Sequence, residues 1–326
     1  MDIGILGAGA WGTALATVVA RNGHTVQFWD PVRDIIDNVN SKHQHPFALP
    51  GIKLDDKIMG VEQVENVAKK SVLLLALPSQ AMRLSLEKIS NHVSPNSIML
   101  VCSKGIELET GALMTDLVKD LVPQASVAVL SGPTFASEVA CGLPTAVTLA
   151  SKNSTVSGEL VKTLSRKEFR MYLTNDLVGT QVTGSVKNVL AIACGISDGR
   201  SYGDNARSSV ITRGIAEVGR LNKALGGKAD TLMGPSGVGD IVLTCTSKQS
   251  RNYSLGHSIG SSRNAANVIQ SSTDTVEGVA TAASVAKLSA KHGINMPITE
   301  AVNKVLHHGA DIDTEIAQLL TRPISN

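Results

Sequence analysis

The stretch Ile3-Gly-Ile-Leu-Gly-Ala-Gly-Ala-Trp-Gly-Thr-Ala-Leu-Ala16 decides the reading of the first half of the chain. An apolar run leads into Gly7, Gly9 and Gly12, which stand in G-x-G-x-x-G spacing, and an alanine-rich segment follows to about Ala20. That order predicts a strand, a tight turn and a helix. Each glycine has its own reason: Gly7 permits the sharp turn out of the strand, Gly9 lets backbone approach a pyrophosphate, and Gly12 lets the helix pack close on the sheet. The helix start then presents unpaired N–H groups and the positive end of a dipole, which together form an anion site. Such spacing also occurs in turns that bind nothing, so its neighbours matter. Thr25-Val-Gln-Phe-Trp-Asp30 predicts a second strand, and Asp30 lies about twenty residues beyond Gly9, where an acid meets the ribose hydroxyls of a dinucleotide. Arg33 stands close by and suits the extra 2′-phosphate of NADP, so both NAD and NADP fit.

The run Ser71-Val-Leu-Leu-Leu-Ala-Leu-Pro78 is continuously apolar over a strand length, as in a parallel strand covered on both faces. Pro78 ends it, and Ser79 and Gln80 precede a helix at the ligand-binding edge of the sheet. Further strands are expected at Ile98–Cys102, Val127–Leu130, Ala146–Leu149 and Phe169–Tyr172. Strands alternating with helices imply a parallel, doubly wound sheet of Rossmann type. From Val178 onward helical periodicity dominates, over Val178–Ala193, Ala206–Leu225 and the segments after Thr275. The expected organisation is therefore an α/β dinucleotide-binding domain over residues 1–178 and an all-α, substrate-binding domain over 179–326.

At 326 residues and 43% hydrophobic content the chain can bury two cores. A net charge of +2 carries no basic surplus that would draw it to nucleic acid or an anionic membrane. No apolar run approaches about 18 residues, and Met1 leads directly into the first strand, so a cytoplasmic protein without membrane insertion is expected. Cys102, Cys141, Cys194 and Cys245 are scattered, which predicts buried free thiols and no structural metal. His43 and His45, among Pro46 and Pro50, read as solvated loop residues.

Two lysines occupy unusual places. Lys104 follows a strand and precedes Gly105, at the carboxyl edge of the sheet. Lys187 lies in a helix whose Val178, Val182, Val186, Val189 and Ala193 recur at helical spacing and whose other positions are mostly small or apolar. A lysine buried there must be paired or partly neutral, which makes it a proton-transfer candidate. Positive charge from Lys104 is expected to lower the pKa of Lys187. Asp240 stands in a glycine-rich turn with Thr244 one helical turn beyond it. Ser250, Arg251 and Asn252 supply three consecutive donors, the chemistry that holds a dianionic phosphate. Ser131-Gly-Pro-Thr-Phe-Ala136 follows another strand end and faces the same edge.

Together these blocks, GAGAWGTALA, SKGIE, SGPTFASEVA, SVKNVLAIACGISDG, NARSSVITRG, GDIVLTC, SRN and VEG, occur in one order along nearly the whole chain. In them the sequence resembles bacterial NAD(P)-dependent glycerol-3-phosphate dehydrogenases. The resemblance implies reversible reduction of dihydroxyacetone phosphate to sn-glycerol 3-phosphate for glycerophospholipid synthesis. It implies Lys187 as proton donor and acceptor, Lys104 contacting substrate and cofactor, and Asp240 and Thr244 orienting the reacting oxygen. Gly132, Thr134, Ser250, Arg251 and Asn252 match positions that hold the glycerol phosphate. Ala10, Trp11, Arg33, Ala136, Arg251 and Glu277 match positions that contact NAD(P), and a homodimer is implied as well. Cys102-Ser103 departs from the commoner Ala-Thr before the lysine, and Val279-Ala280 replaces bulkier residues. Two other readings keep the same parts: a 3-hydroxyacid dehydrogenase, acting on a carboxylate, and a non-catalytic NAD(P)-sensing protein.

Overall fold

In the computed structural model, residues 2–272 and 275–321 are described, and Met1 lies outside them. Among the described residues, β1 (Asp2–Leu6), β2 (Thr25–Trp29), β3 (Ile58–Gly60), β4 (Val72–Leu75), β5 (Ile98–Val101), β6 (Ser126–Ser131), β7 (Thr145–Ala150) and β8 (Phe169–Thr174) form one sheet. Their order is β3-β2-β1-β4-β5-β6-β7-β8. β1 sits between β2 and β4, with Ile5 beside Phe28 on one side and Leu74 on the other. The strand order reverses there, so the crevice at the carboxyl end of β1 is the ligand-binding point of the sheet. Ile3, Ile5, Leu74 and Leu100 face one apolar layer with α1 (Ala10–Arg21), while Leu73, Leu75 and Met99 face another. Burial on both faces explains why these strands read as unbroken apolar runs.

One expectation is corrected: the sheet is not wholly parallel. β7 runs antiparallel to β6, with Leu130 opposite Leu149. The only helix between them, Ala136–Cys141, has six residues. It advances the chain by about 9 Å, short of the ~20 Å back to the start of β6, so the chain turns and returns from the same edge. β3 is a three-residue strand, too short for a periodic signal. Cys141 is exposed at the end of that short helix, unlike buried Cys102, Cys194 and Cys245.

α2 (Arg33–Lys42) lies between β2 and β3, and after the sheet come α3 (Leu177–Gly199), α4 (Gly203–Ala224), α5 (Asp240–Thr246), α6 (Arg251–Ser262), α7 (Glu277–Lys291), α8 (Pro297–His307) and α9 (Ile312–Leu320). Asp176 caps α3, its Oδ1 accepting the Gly179 N–H at 2.8 Å. α3 is the axis of this half. Val182, Val186 and Leu190 pack with Val218, Leu221 and Ile241, while Val189, Ile192 and Ile196 pack with Leu255, Ile259 and Val302. No helix among the described residues is long and apolar enough to cross a membrane.

α3 and α6 cross backbone to backbone. A Cβ on Gly195 would collide with the Tyr253 carbonyl oxygen, and one on Gly256 with that of Ile192. Gly199 and Gly260, each four residues on, meet the carbonyls of His257 and Ile196 in the same way. Overpacking costs about 1–3 kcal/mol, so Gly195→Ala should lower the unfolding free energy by that order in a urea titration. Gly158→Ala, in the open middle of the helix Ser154–Leu164, should instead stabilise by about 0.5–1 kcal/mol.

Candidate active site

The first residue of α5, Asp240, is fully buried and lies between two ammonium groups. Its Oδ1 accepts Lys187 Nζ at 2.7 Å and its Oδ2 accepts Lys104 Nζ at 2.7 Å. Lys187 comes from the middle of α3 and also donates to Thr244 Oγ1 at 2.8 Å. Lys104 comes from the sheet side and also donates to the Gly132 carbonyl at 2.9 Å. An ammonium has three donors, so each lysine keeps one N–H uncommitted. Two N–H groups anchored to one carboxylate can converge on one oxygen.

Local sequence explains the approach of each group. Ser103 Oγ donates to the Leu75 and Leu77 carbonyls at 3.1 and 2.5 Å, tying the loop after β5 to the end of β4 and sending Lys104 out at the carboxyl edge. Gly184, one turn before Lys187, leaves room: a Cβ there would come within 2.5 Å of Ser131 Oγ. Thr244 follows Asp240 by four residues, so both stand on one face of α5.

Burial chiefly lowers the pKa of Lys104, to about 8, with the charge of Lys187 adding to the effect and Asp240 opposing it. Lys104, expected from the sequence to be a cause of such a shift, is here itself a recipient. The Glu277 carboxyl is pushed up by burial, although two hydrogen bonds and the charge of Arg251 pull the other way.

The glycine-rich turn suits a dinucleotide. Gly7 has φ of +94°, in the left-handed region. No atom lies near where a Cβ on Gly9 would stand, and α1 starts at Ala10 with no side-chain cap. Its first amides are thus open to a pyrophosphate. Trp11 follows, with a buried indole Nε1 that has no hydrogen-bond partner among the described residues. Asp30 uses Oδ2 to accept the Ala8 N–H at 2.8 Å and Oδ1 to accept the Val32 N–H at 3.0 Å. It therefore sets the turn and keeps lone pairs for a further donor. Arg33 is exposed and engaged by Asp37 and Glu62 at 2.9 and 2.6 Å, apart from the lysines.

On the helical side Ser250 caps α6, its Oγ accepting the Tyr253 N–H at 3.2 Å. Asn252 donates to Asn188 Oδ1 and accepts from the Gly278 N–H, both at 2.9 Å. Its side chain is a brace between α3, α6 and α7, and the backbone amides at the start of α6 remain as anion donors. Arg251 is exposed beside them. Glu277, first in α7, accepts Ser79 N at 2.9 Å and Ser79 Oγ at 2.5 Å across the cleft. Thr134 Oγ1 donates to the Gly132 carbonyl at 3.2 Å, and Ala136 opens the short helix beyond it. Sequence reasoning missed Asn188 and the latching role of Ser79. A buried asparagine in an apolar helix needs a partner, and that was the available signal for Asn188. His45 is buried rather than solvated, because the loop that carries it folds over the glycine-rich turn and bonds to Ala8.

A Rossmann-type sheet facing a helical half, with two lysines on one buried carboxylate in the crevice, defines the class of nicotinamide-dinucleotide dehydrogenases with a helical substrate half. Residues 2–157 match the family described as NAD-dependent glycerol-3-phosphate dehydrogenase N-terminus, and residues 176–317 match the corresponding C-terminus. The chain is 44% identical over 321 residues to glycerol-3-phosphate dehydrogenase [NAD(P)+] of Parvibaculum lavamentivorans, covering 98% of this chain and 96% of that one. To the protein of the same name from Erythrobacter litoralis it is 44% identical over 323 residues, covering 99% and 97%. The crystal structure of glycerol-3-phosphate dehydrogenase from Coxiella burnetii superposes with a TM-score of 0.94 at 38% identity, covering 98% of each chain. The chain belongs to the NAD-dependent glycerol-3-phosphate dehydrogenase family.

Removing one partner of a buried ion pair costs about 3–5 kcal/mol, because the charge left behind is neither solvated nor compensated. Asp240→Ala strands two ammonium groups and should lose at least that much in a urea unfolding titration.

Proposed function

We infer that the chain catalyses the reversible reduction of dihydroxyacetone phosphate to sn-glycerol 3-phosphate with NAD(P)H. The observation that carries this is the shared carboxylate, which leaves one N–H on each of Lys104 and Lys187. Bound NAD(P)H supplies a hydride, from C4 of its nicotinamide to C2 of the substrate. Lys187 gives the C2 oxygen its proton, and in the reverse direction takes it back. The charge of Lys104 stabilises the oxygen as it becomes an alkoxide. Asp240 holds both ammonium groups, and Thr244 fixes the second contact of Lys187.

Ser250, Arg251, Asn252, Gly132 and Thr134 hold the phosphorylated end of the substrate in this reading. Binding energy gathered there, away from the reacting carbon, orients C2. Gly7, Gly9, Ala10, Trp11 and Gly12 hold the pyrophosphate of NAD(P), with Asp30, Arg33, Ala136 and Glu277 as further contacts. The chain divides at 178/179 into a dinucleotide half and a substrate half. It acts as a cytoplasmic homodimer that feeds glycerophospholipid synthesis, a reading supported by the family to which it belongs.

Oxidation of NADH on adding dihydroxyacetone phosphate, followed spectrophotometrically, tests the proposal. Turnover of a 3-hydroxyacid in its place, or dinucleotide binding with no turnover, would overturn it. Lys187→Ala should lose roughly 10²–10⁴ in kcat while still binding NAD(P)H. Arg251→Ala should act mainly on KM for dihydroxyacetone phosphate. Lys104 is charged below about pH 8 and neutral above it, so kcat/KM for reduction should fall as pH rises through that value. Lys104→Arg, which stays charged, should move that fall to higher pH.

A further inference from the structure

The peptide of Ala8, at the centre of the glycine-rich turn, is held from outside the turn on both sides. Asp30 accepts its N–H. Its carbonyl accepts Thr13 Oγ1 at 2.9 Å from α1 and lies 2.8 Å from Nε2 of His45, thirty-seven residues away. His45 belongs to a loop whose ends are tied by the Leu54 N–H to the His43 carbonyl at 2.8 Å and whose Leu49 and Leu54 are buried. The other ring nitrogen, Nδ1, accepts the N–H groups of Phe47 and Ala48 at 3.1 and 2.9 Å. A nitrogen that accepts two N–H groups carries no proton, so the ring is neutral with its hydrogen on Nε2, donated to Ala8.

We propose that His45 is a positioning residue for the dinucleotide: its neutral ring locks the glycine-rich turn to the loop over residues 43–54, and protonation in mild acid unlocks that turn and weakens cofactor binding. The proposal rests on the assignment of the turn to the pyrophosphate. A proton on Nδ1 turns an acceptor into a donor facing two other donors, so both contacts that fold the loop around the ring break together. The charged ring would also lie in an almost closed site. The neighbouring Ala8 carbonyl and Asp30 carboxylate favour the charged ring, but burial outweighs them and holds the His45 pKa below the ordinary histidine value. The neutral, locking form therefore prevails at neutral pH and gives way as pH falls below about 6.5.

ADP-ribose carries the half of the cofactor that meets this turn and no nicotinamide, so its binding by calorimetry between pH 8 and 5 reads the turn apart from catalysis. The wild-type Kd should rise about tenfold toward pH 5, the worth of a hydrogen bond in a buried setting. His45→Gln keeps a donor for the Ala8 carbonyl but does not titrate, so it should bind within about threefold of wild type at pH 8 and show no acid weakening. His45→Asn can still accept from Phe47 and Ala48 but does not reach Ala8, and should bind about tenfold more weakly at every pH. A flat wild-type profile, an acid slope that persists in either variant, or wild-type affinity in His45→Asn would overturn the proposal. Absence of ADP-ribose binding by the wild type at pH 8 would remove the pyrophosphate assignment itself.

Discussion

One buried carboxylate joins the two halves of this molecule. Asp240 has no exposure to water, yet it is flanked by two cations that arrive from different directions, Lys104 off the sheet and Lys187 off the central helix. Bringing three charged groups out of water is costly unless their geometry is close to ideal and their remaining donors are satisfied. Here Gly132 and Thr244 supply the additional acceptors. The excess of positive charge is one unit, held where the proposed reaction develops an oxyanion. That excess is what a neutral apolar replacement could not give.

Around this centre a sequence of contacts closes the cleft. Lys187 is followed by Asn188, which binds Asn252, which binds the amide of Gly278 beside Glu277, whose carboxylate grips Ser79 in the turn after β4. Each of these hydrogen bonds joins a different pair of segments. The sheet and the helical half are thus fixed against one another by partly buried polar contacts, where hydrogen bonds are stronger than at the open surface.

Much of this was legible in the chain itself. The glycine spacing and the apolar runs define a doubly wound sheet because their causes are local: turn geometry and two-faced burial. The helical half is equally legible from the periodicity of Val182, Val186 and Val189. Lys187 stood out because an ammonium in an apolar helix demands a partner. What escaped was set by contacts between distant segments. The reversal of β7 depends on how far a six-residue helix carries the chain, and the burial of His45 on a loop that meets Ala8.

The glycine crossing of α3 and α6 has a consequence for how such a protein can change. Main chain meets main chain there, so the span from Lys187 to the start of α6 is a fixed ruler that no repacking of side chains lengthens or shortens. If Lys187 and the start of α6 grip the two ends of one substrate, as proposed above, an additional carbon between those ends would require one rod to slide along the other. Neighbouring side chains can then tune grip and polarity, while the distance itself follows from the spacing of four glycines.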